Sequence, residues 1–262
     1  DSLRRLGVPA DVSTRPVPPI DWVRDFQERC VPREVGPFRI VPDFPATGPG
    51  SRSAARNRGG RAAEIILTPA MAFGTGEHPT TRLCLRTLGE FGGGLLPGRV
   101  LDIGCGSGIL GIAAAKWFPR RRVTSIDIDP GAYHATRDNA RKNRVAARMT
   151  VREGSLERTR GKFGLILANL YLEPLRDLAG MMARRLEKEG RAVLSGILVS
   201  QADALTKALS DVGLGVVRKL SEAGWICLTA GRNGRTPPPK PETALDPPRI
   251  ASIAVGKQPL KR

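Results

Sequence analysis

The stretch that decides the fold is VLDIGCGSGILG, residues 100–111. It begins as a short apolar strand, passes through Gly104, Gly106 and Gly108, and continues into a helical pattern. Glycines at this point let the backbone turn tightly and let a ligand approach the main chain at the helix N-terminus. The next strand ends at Asp127, 23 residues beyond Gly104, where a carboxylate can accept both hydroxyls of a ribose. This combination predicts a ligand that contains adenosine.

Strands and helices alternate on both sides of this stretch, over residues 64–230. The predicted strands are EIILT, RVLDIG, VTSIDID, RMTVREG, FGLILAN, RAVLSGI, LGVVRKL and GWICLTA. Helices are predicted over residues 79–91, 130–143, 173–186 and 201–212. A further helix follows the glycines after RVLDIG and ends at Trp117. The alternation predicts an α/β fold with a doubly wound, Rossmann-like, seven-stranded and mostly parallel sheet. Because only a few residues separate the last two strands, we expect them to form an antiparallel hairpin at one edge.

Three segments are predicted along the chain. Residues 1–63 are a short N-terminal linker with one helical stretch, one strand in GPFRIVPDF and a flexible arginine-rich insert over 46–62. Residues 64–230 form the main α/β domain. Residues 231–262 are a proline-rich basic tail that we expect to be disordered.

The formal net charge of the chain is +17. The insert carries four arginines and no acidic residue, and the tail carries seven basic and two acidic residues. Two interpretations of these segments stay open: a solvated linker and tail, or weak electrostatic contact with RNA or a ribosomal surface.

Other features exclude several classes of protein. Apolar runs are too short for a membrane-spanning helix, and no signal peptide is visible at the start. The four cysteines are scattered without a CxxC pair or a neighbouring histidine cluster, so neither a disulfide framework nor a metal site is expected. We therefore expect a soluble, cytoplasmic monomer.

The chemistry around the glycines distinguishes two adenosine ligands. Residues 106–111 also satisfy the dinucleotide pattern G-x-G-x-x-G, but the pattern starts several residues after the strand ends. Asp102, directly before the glycines, suits a cationic ligand better than a pyrophosphate. S-adenosylmethionine carries a sulfonium and an ammonium group and no phosphate, so it is the favoured ligand.

A second polar loop, AFGTGEHPTT over residues 72–81, precedes a predicted helix. Thr80 or Thr81 could cap that helix or bind a ligand carboxylate. His78 could act as a general base, although a histidine beside a proline is more often a structural hydrogen-bonding residue. Asn169-Leu170-Tyr171, after the strand FGLILAN, could orient an incoming amine through the Asn169 side chain and the carbonyl groups.

Taken in order, AFGTGEHPTT, VLDIGCGSGILGIAAAK, SIDIDPGAYHATRDNARKN, LANL and VLSGIL resemble the PrmA family. These are S-adenosylmethionine-dependent methyltransferases of large-subunit ribosomal protein eleven. The upstream DWVRDFQERCVPREVGPFRIVP resembles the linker between that family's two domains. The resemblance covers about residues 20–230. It implies a class I methyltransferase fold that methylates amino groups of lysines and of an N-terminus of a ribosomal protein.

The resemblance also implies which residues form the site. Those carried over directly for the cofactor are Thr81, Gly104, Asp127 and Asn169, with residues 73–76 folded over the methionine part and Ser155 near the adenine. The full expected cofactor site is Phe73, Thr75, Gly76, Thr81, Asp102, Gly104, Gly106, Gly108, Asp127, Ile128, Ser155 and Asn169. The expected catalytic residues are Asn169, Leu170 and His78, without a metal.

The sequence departs from the family pattern in three respects. The family begins with a small substrate-recognition domain, for which there is no room before Asp21, so either the sequence is truncated or recognition differs. Glu77 lies where the family commonly has a small or neutral residue. The insert and tail have no expected counterpart.

Two other functions therefore remain as alternatives. A methyltransferase of this fold could act on RNA or a small molecule, although the NPPY-like element of many base-amino methyltransferases is replaced here by Asn169-Leu-Tyr-Leu. A module that binds the cofactor without turnover is the other alternative.

Overall fold

The computed structural model describes residues 31–43, 62–68, 76–91 and 98–232. Those from Pro32 onward belong to one compact unit. The described elements before the main sheet are β1 (Arg33–Val35), β2 (Phe38–Pro42), β3 (Ala63–Leu67) and α1 (Pro79–Glu90). The insert lies outside the described residues apart from Ala62, as does the tail from residue 233 onward.

The main sheet has seven strands, as predicted, with helices between them. In chain order its elements are β4 (Val100–Ile103), α2 (Ile109–Trp117), β5 (Val123–Asp127), α3 (Pro130–Lys142), β6 (Met149–Glu153), β7 (Phe163–Asn169), α4 (Leu172–Arg185), β8 (Leu186–Leu198), α5 (Ala202–Asp211), β9 (Leu214–Glu222) and β10 (Trp225–Arg232). The spatial order is β6-β5-β4-β7-β8-β10-β9. The first five strands in this order are parallel, and β10 is antiparallel to both of its neighbours. The prediction of a seven-stranded, mostly parallel sheet is confirmed.

Burial explains why β4 lies at the centre. All four of its residues are buried, as expected of a parallel strand that helices cover on both faces. Val100 belongs to the core that α1 and α2 cover, whereas Leu101 and Ile103 belong to the opposite core, under α4 and α5. Alternating side chains of one strand therefore serve two cores.

The hairpin at the edge of the sheet is confirmed. Its second strand, β10, pairs with β8, and its first strand, β9, forms the edge. Its loop consists of Ala223 and Gly224, with φ angles of 49° and 80°. Two residues with positive φ are typical of a type I′ turn, whose twist matches that of paired strands. The turn ends beside the carboxyl end of β8, since the Val199 amide donates to the Gly224 carbonyl over 2.9 Å.

The segment before the main sheet differs from the prediction. EIILT does form a strand, β3, but it joins a separate three-stranded sheet in which it lies parallel to β2. The sequence predicted one strand in GPFRIVPDF, whereas the structure has a further short strand, β1, antiparallel to β2. The Phe38 ring packs edge-on against Trp117 of α2, with 5.6 Å between ring centroids. This small sheet is therefore part of the domain core.

One boundary was also wrong. The sequence predicted a gap between α4 and a strand that starts at Arg191, but β8 begins at Leu186 directly after the helix. No helix in the described part of the chain is long and apolar enough to cross a membrane.

Candidate active site

A cavity of about 470 Å³ lies at the carboxyl ends of β4, β5 and β7. The carboxyl edge of an open parallel sheet is where such folds bind ligands. The structure brings ten of the expected site residues together in its wall: His78, Thr81, Asp102, Gly104, Gly106, Asp127, Ile128, Ser155, Asn169 and Leu170. Gly76 and Gly108 do not line the cavity, and Phe73 and Thr75 lie outside the described residues.

The glycine turn after β4 requires glycine for two different reasons. Gly104 has a φ of 67°, and a Cβ there would lie 2.4 Å from Leu170 Cδ2 at the cavity wall. Gly108 has a φ of 83°, and a Cβ there would meet the Thr136 side chain of α3. Gly108 is thus needed for packing of the helix behind the turn, and its place in the cofactor site stays a prediction.

Asp127 is held in one orientation at the end of β5. Its Oδ2 accepts a hydrogen bond from the Gly106 amide over 2.9 Å, and its Oδ1 accepts one from the Asp129 amide over 3.0 Å. Each carboxylate oxygen has a further lone pair for another donor. The side chain is only half-buried and lines the cavity, so it can receive ligand hydroxyls there.

Asp102 lies deeper than Asp127 and is fully buried. Its Oδ2 accepts a hydrogen bond from the Gly111 amide over 3.0 Å and lies 3.5 Å from the Ser125 hydroxyl. Burial raises the pKa of this carboxyl to about 7, and the negative charge of Asp127 adds to the shift. Asp102 therefore holds the first turn of α2 through the Gly111 amide. A nearby cation would favour the ionised form of the carboxyl.

Asn169, at the end of β7, contains an unsatisfied buried acceptor. Its Nδ2 donates to the Thr81 hydroxyl over 3.4 Å, while its Oδ1 is buried without a hydrogen-bond partner in the described part of the chain. A buried acceptor left unpaired costs about 1–3 kcal/mol. Because the residue lines the cavity, a bound N–H group is a suitable partner for this oxygen.

His78 caps α1, a role that the sequence had suggested for Thr80 or Thr81. The His78 Nδ1 accepts a hydrogen bond from the Thr80 amide over 3.4 Å and lies 2.8 Å from the Thr80 hydroxyl. Its ring packs edge-on against Trp225 with 4.7 Å between centroids. Burial, together with the charge of Arg82, lowers the pKa of His78, which favours the neutral imidazole. These contacts favour a structural role over that of a general base.

Leu170 is clamped between two glycines. Its amide donates to the Ser195 carbonyl over 2.9 Å, and a Cβ on Gly196 would lie 2.3 Å from the Leu170 carbonyl oxygen. Gly196 has a φ of 96° and lines the cavity, but sequence reasoning did not select it. A glycine inside a strand pattern is a signal of close backbone approach and could have identified it. Trp225, another lining residue that was missed, carried no such signal.

The small sheet supports the loop that leads to α1. A Cβ on Gly76 would lie 2.4 Å from the Ile40 side chain of β2. Glu77 accepts a hydrogen bond from Arg33 of β1 over 3.1 Å, an exposed ion pair. Glu77, the departure noted in the sequence, thus contacts the small sheet, and Gly76 is needed for close packing rather than as part of the cavity wall.

Comparison with known proteins gives a consistent result. The family model described as ribosomal protein L11 methyltransferase (PrmA) matches residues 5–233. The ribosomal protein L11 methyltransferase of Cupriavidus necator is 41% identical over 219 residues, covering 82% of this chain and 66% of the relative. That of Thiobacillus denitrificans is 42% identical over 225 residues, covering 85% of this chain and 70% of the relative. The chain thus spans about two thirds of the length of these relatives.

A solved structure shares the fold. The crystal structure of a ribosomal protein L11 methylase from Lactobacillus delbrueckii subsp. bulgaricus superposes with a TM-score of 0.65 at 29% identity. The match covers 77% of this chain and 98% of that one.

Proposed function

The chain belongs to the ribosomal protein L11 methyltransferase family, and from this we propose that it transfers methyl groups from S-adenosylmethionine to amines of ribosomal protein L11. The amines are those of lysines and of the N-terminus. The observation that carries the proposal is the buried, unpaired Oδ1 of Asn169 in the wall of the cavity. It is an acceptor in need of an N–H donor, at the end of a strand where this fold binds its ligands.

The residues of the cavity suit the methyl donor. The orientation of Asp127 supports a role in binding ribose hydroxyls, and Gly104 and Gly106 leave the main chain open to close approach. Asp102 provides a buried carboxyl group that a sulfonium or ammonium would help to ionise. The half-buried Ser155 and the exposed Ile128 suit the adenosine end of the cavity. When bound, S-adenosylmethionine supplies a methyl group already activated on a sulfonium.

The protein then has to present a neutral amine in line with the bond that breaks. A free lysine with a pKa near 10.4 costs about 4–5 kcal/mol to deprotonate at pH 7. Partial desolvation in the cavity lowers that cost. The Asn169 Oδ1 is placed to accept one amine hydrogen and so to orient the nitrogen lone pair, while Leu170 excludes water beside it. No side chain has to form a covalent intermediate.

The finer partners follow from the same proposal. A ribosomal protein substrate implies a cytoplasmic enzyme. The oligomeric state that we expect is a monomer. Loop residues 73–76 are proposed to close over the methionine part, as the family resemblance implies. RNA contact through the insert and tail remains a prediction of the sequence.

Asn169→Ala tests the proposal. The variant removes the unpaired acceptor and the bond to Thr81. We expect loss of methylation of purified ribosomal protein L11 by at least about tenfold, because the amine gains positive charge as it accepts the methyl group and a hydrogen bond to a charged group contributes about 1.5–3 kcal/mol. Calorimetric titration of S-adenosylmethionine measures donor binding in the same preparation. Ser210→Ala, at an exposed position of α5, is the matched control and should behave as wild type.

The result also separates the alternatives. Unchanged turnover in Asn169→Ala would contradict the assigned role of this residue. Donor binding without methylation of ribosomal protein L11 by the wild-type chain would favour RNA, a small molecule or a module without turnover.

A further inference from the structure

The amino ends of the central strands carry a row of cations. In β4, β5, β6 and β7 the residue directly before the strand is basic: Arg99, Arg122, Arg148 and Lys162. Val100 pairs with Val123, and Val123 pairs with Met149, so the first three of these cations precede residues that are aligned in register. Neighbouring strands lie about 4.8 Å apart, so the row extends over about 14 Å.

Contacts join the row into one surface. Arg99 donates to the Lys162 carbonyl over 3.3 Å, so the cations that precede the neighbouring strands β4 and β7 lie together. Burial lowers the pKa of Lys116, Glu64 opposes this shift, and Arg144 and Arg148 add to it, so both arginines lie near Lys116. Arg120 is exposed in the turn between α2 and Arg122. We call Arg99, Arg120, Arg122, Arg144, Arg148 and Lys162 the amino-end basic face.

No carboxylate lies within ion-pair distance of this face in the described part of the chain. Arg99 also lies over the Phe163 ring, and Arg148 donates to the Ala115 carbonyl. Five of the six side chains are exposed and Arg148 is partly buried, and none forms an ion pair in the described part of the chain. Elsewhere on the described part of the domain some exposed cations form such pairs, as Arg86 does with Glu222, whereas Arg176 and Arg184 do not. The alignment of cations at neighbouring strand ends therefore distinguishes this face. The start of β8, with Glu187 and Glu189, bounds the face on one side.

Backbone conformation gives a second sign that a cation is placed here. Arg144 follows α3 with a φ of 57°, in the left-handed region that favours glycine at this position after a helix. A long, charged side chain at such a position is uncommon. Its presence adds positive charge to the face at the expense of local stability.

We propose that the amino-end basic face binds the phosphate backbone of RNA. A row of regularly spaced cations matches a polymer of regularly spaced anions better than a single small anion. Five of the six residues are arginines, whose planar guanidinium groups bind phosphate through two parallel hydrogen bonds. The face lies at the strand ends opposite to the cavity, so RNA and methyl donor can bind at the same time. This proposal does not depend on the identity of the methyl acceptor.

The test compares two double variants of the full chain. R122Q/R144G removes two cations of the face, and R176Q/R184Q removes two exposed cations from α4 as a matched control. Binding of a fluorescein-labelled single-stranded RNA is followed by anisotropy as the salt concentration is raised. Two lost phosphate contacts should reduce the slope of log K against log salt by about 1.4 and weaken binding about 25-fold at 0.1 M salt.

Separate readouts keep the proposal testable. Glycine suits position 144, so thermal melting should show R122Q/R144G folded and as stable as wild type, and its methylation of free ribosomal protein L11 should be unchanged. The control should bind RNA within about twofold of wild type. Equal losses in both double variants, or none in R122Q/R144G, would overturn the proposal. The proposal would also be overturned if phosphatidylserine vesicles displaced the labelled RNA as effectively as unlabelled RNA does at equal total negative charge.

Discussion

Replacing Asp102 by asparagine should remove the pH dependence of stability that this buried carboxyl contributes. The pKa of this buried carboxyl is about 7 in the folded protein, against 3.8 for the free group. The folded state therefore binds more protons than the unfolded state between these two values. The stability contributed by the protonated carboxyl is complete below pH 3.8 and is lost as the pH rises through about 7.

The magnitude follows from the size of the shift. A difference of about 3 pH units corresponds to about 4 kcal/mol, of which about 2.5 kcal/mol is lost between pH 5 and pH 8. The asparagine side chain would keep an oxygen that can accept from the Gly111 amide, but it cannot ionise. The free energy of unfolding of Asp102→Asn, relative to wild type, should therefore rise by about 2.5 kcal/mol over this range.

Urea denaturation followed by circular dichroism at a series of pH values measures this difference. Asp203→Asn, at an exposed position of α5, is the matched control and should show a constant offset from wild type. Parallel stability curves for Asp102→Asn and wild type would refute the reasoning. Calorimetry should also show that S-adenosylmethionine binds the wild type about tenfold more weakly at pH 6 than at pH 8, since a cationic ligand favours the ionised carboxyl.

Three further predictions concern single residues. Gly104→Ala adds a Cβ at 2.4 Å from Leu170 to a backbone with positive φ, so calorimetric donor binding should be lost, and wild-type affinity would count against this geometry. Ala223→Gly relieves a φ of 49° in the hairpin turn and should raise the free energy of unfolding by about 0.5–1 kcal/mol with unchanged turnover, whereas a lower melting temperature would contradict it. His78→Ala should lose a helix cap worth about 1 kcal/mol, and His78→Asn should restore both stability and most of the turnover. A loss of turnover of about a hundredfold in a stable His78→Asn would instead identify a general base.

The sequence predicted the main sheet because its strands and helices have clear periods. The buried run VLDI and the glycines after it have strong local preferences, and the short spacing between the last two strands predicted the hairpin. The small sheet was only partly predictable. Strands β1 and β2 have three and five residues, and their place in the core depends on the contact between Phe38 and Trp117, which are far apart in the chain.

The site was predictable where a residue follows a strand directly. Asp127, Gly104 and Asn169 follow from that rule and from the family resemblance. Trp225 was not predictable, because it reaches the cavity through a hairpin whose last strand lies inside the sheet. The capping role of His78 likewise depends on its orientation, which sequence spacing does not define.

The most direct test of the central claim is intact-mass analysis of purified ribosomal protein L11 after incubation with the chain and S-adenosylmethionine. The account predicts mass increments of whole methyl groups on lysines or on the N-terminus, with loss of these increments in Asn169→Ala. Unmodified ribosomal protein L11, with a folded chain that binds the methyl donor in the same sample, would contradict it.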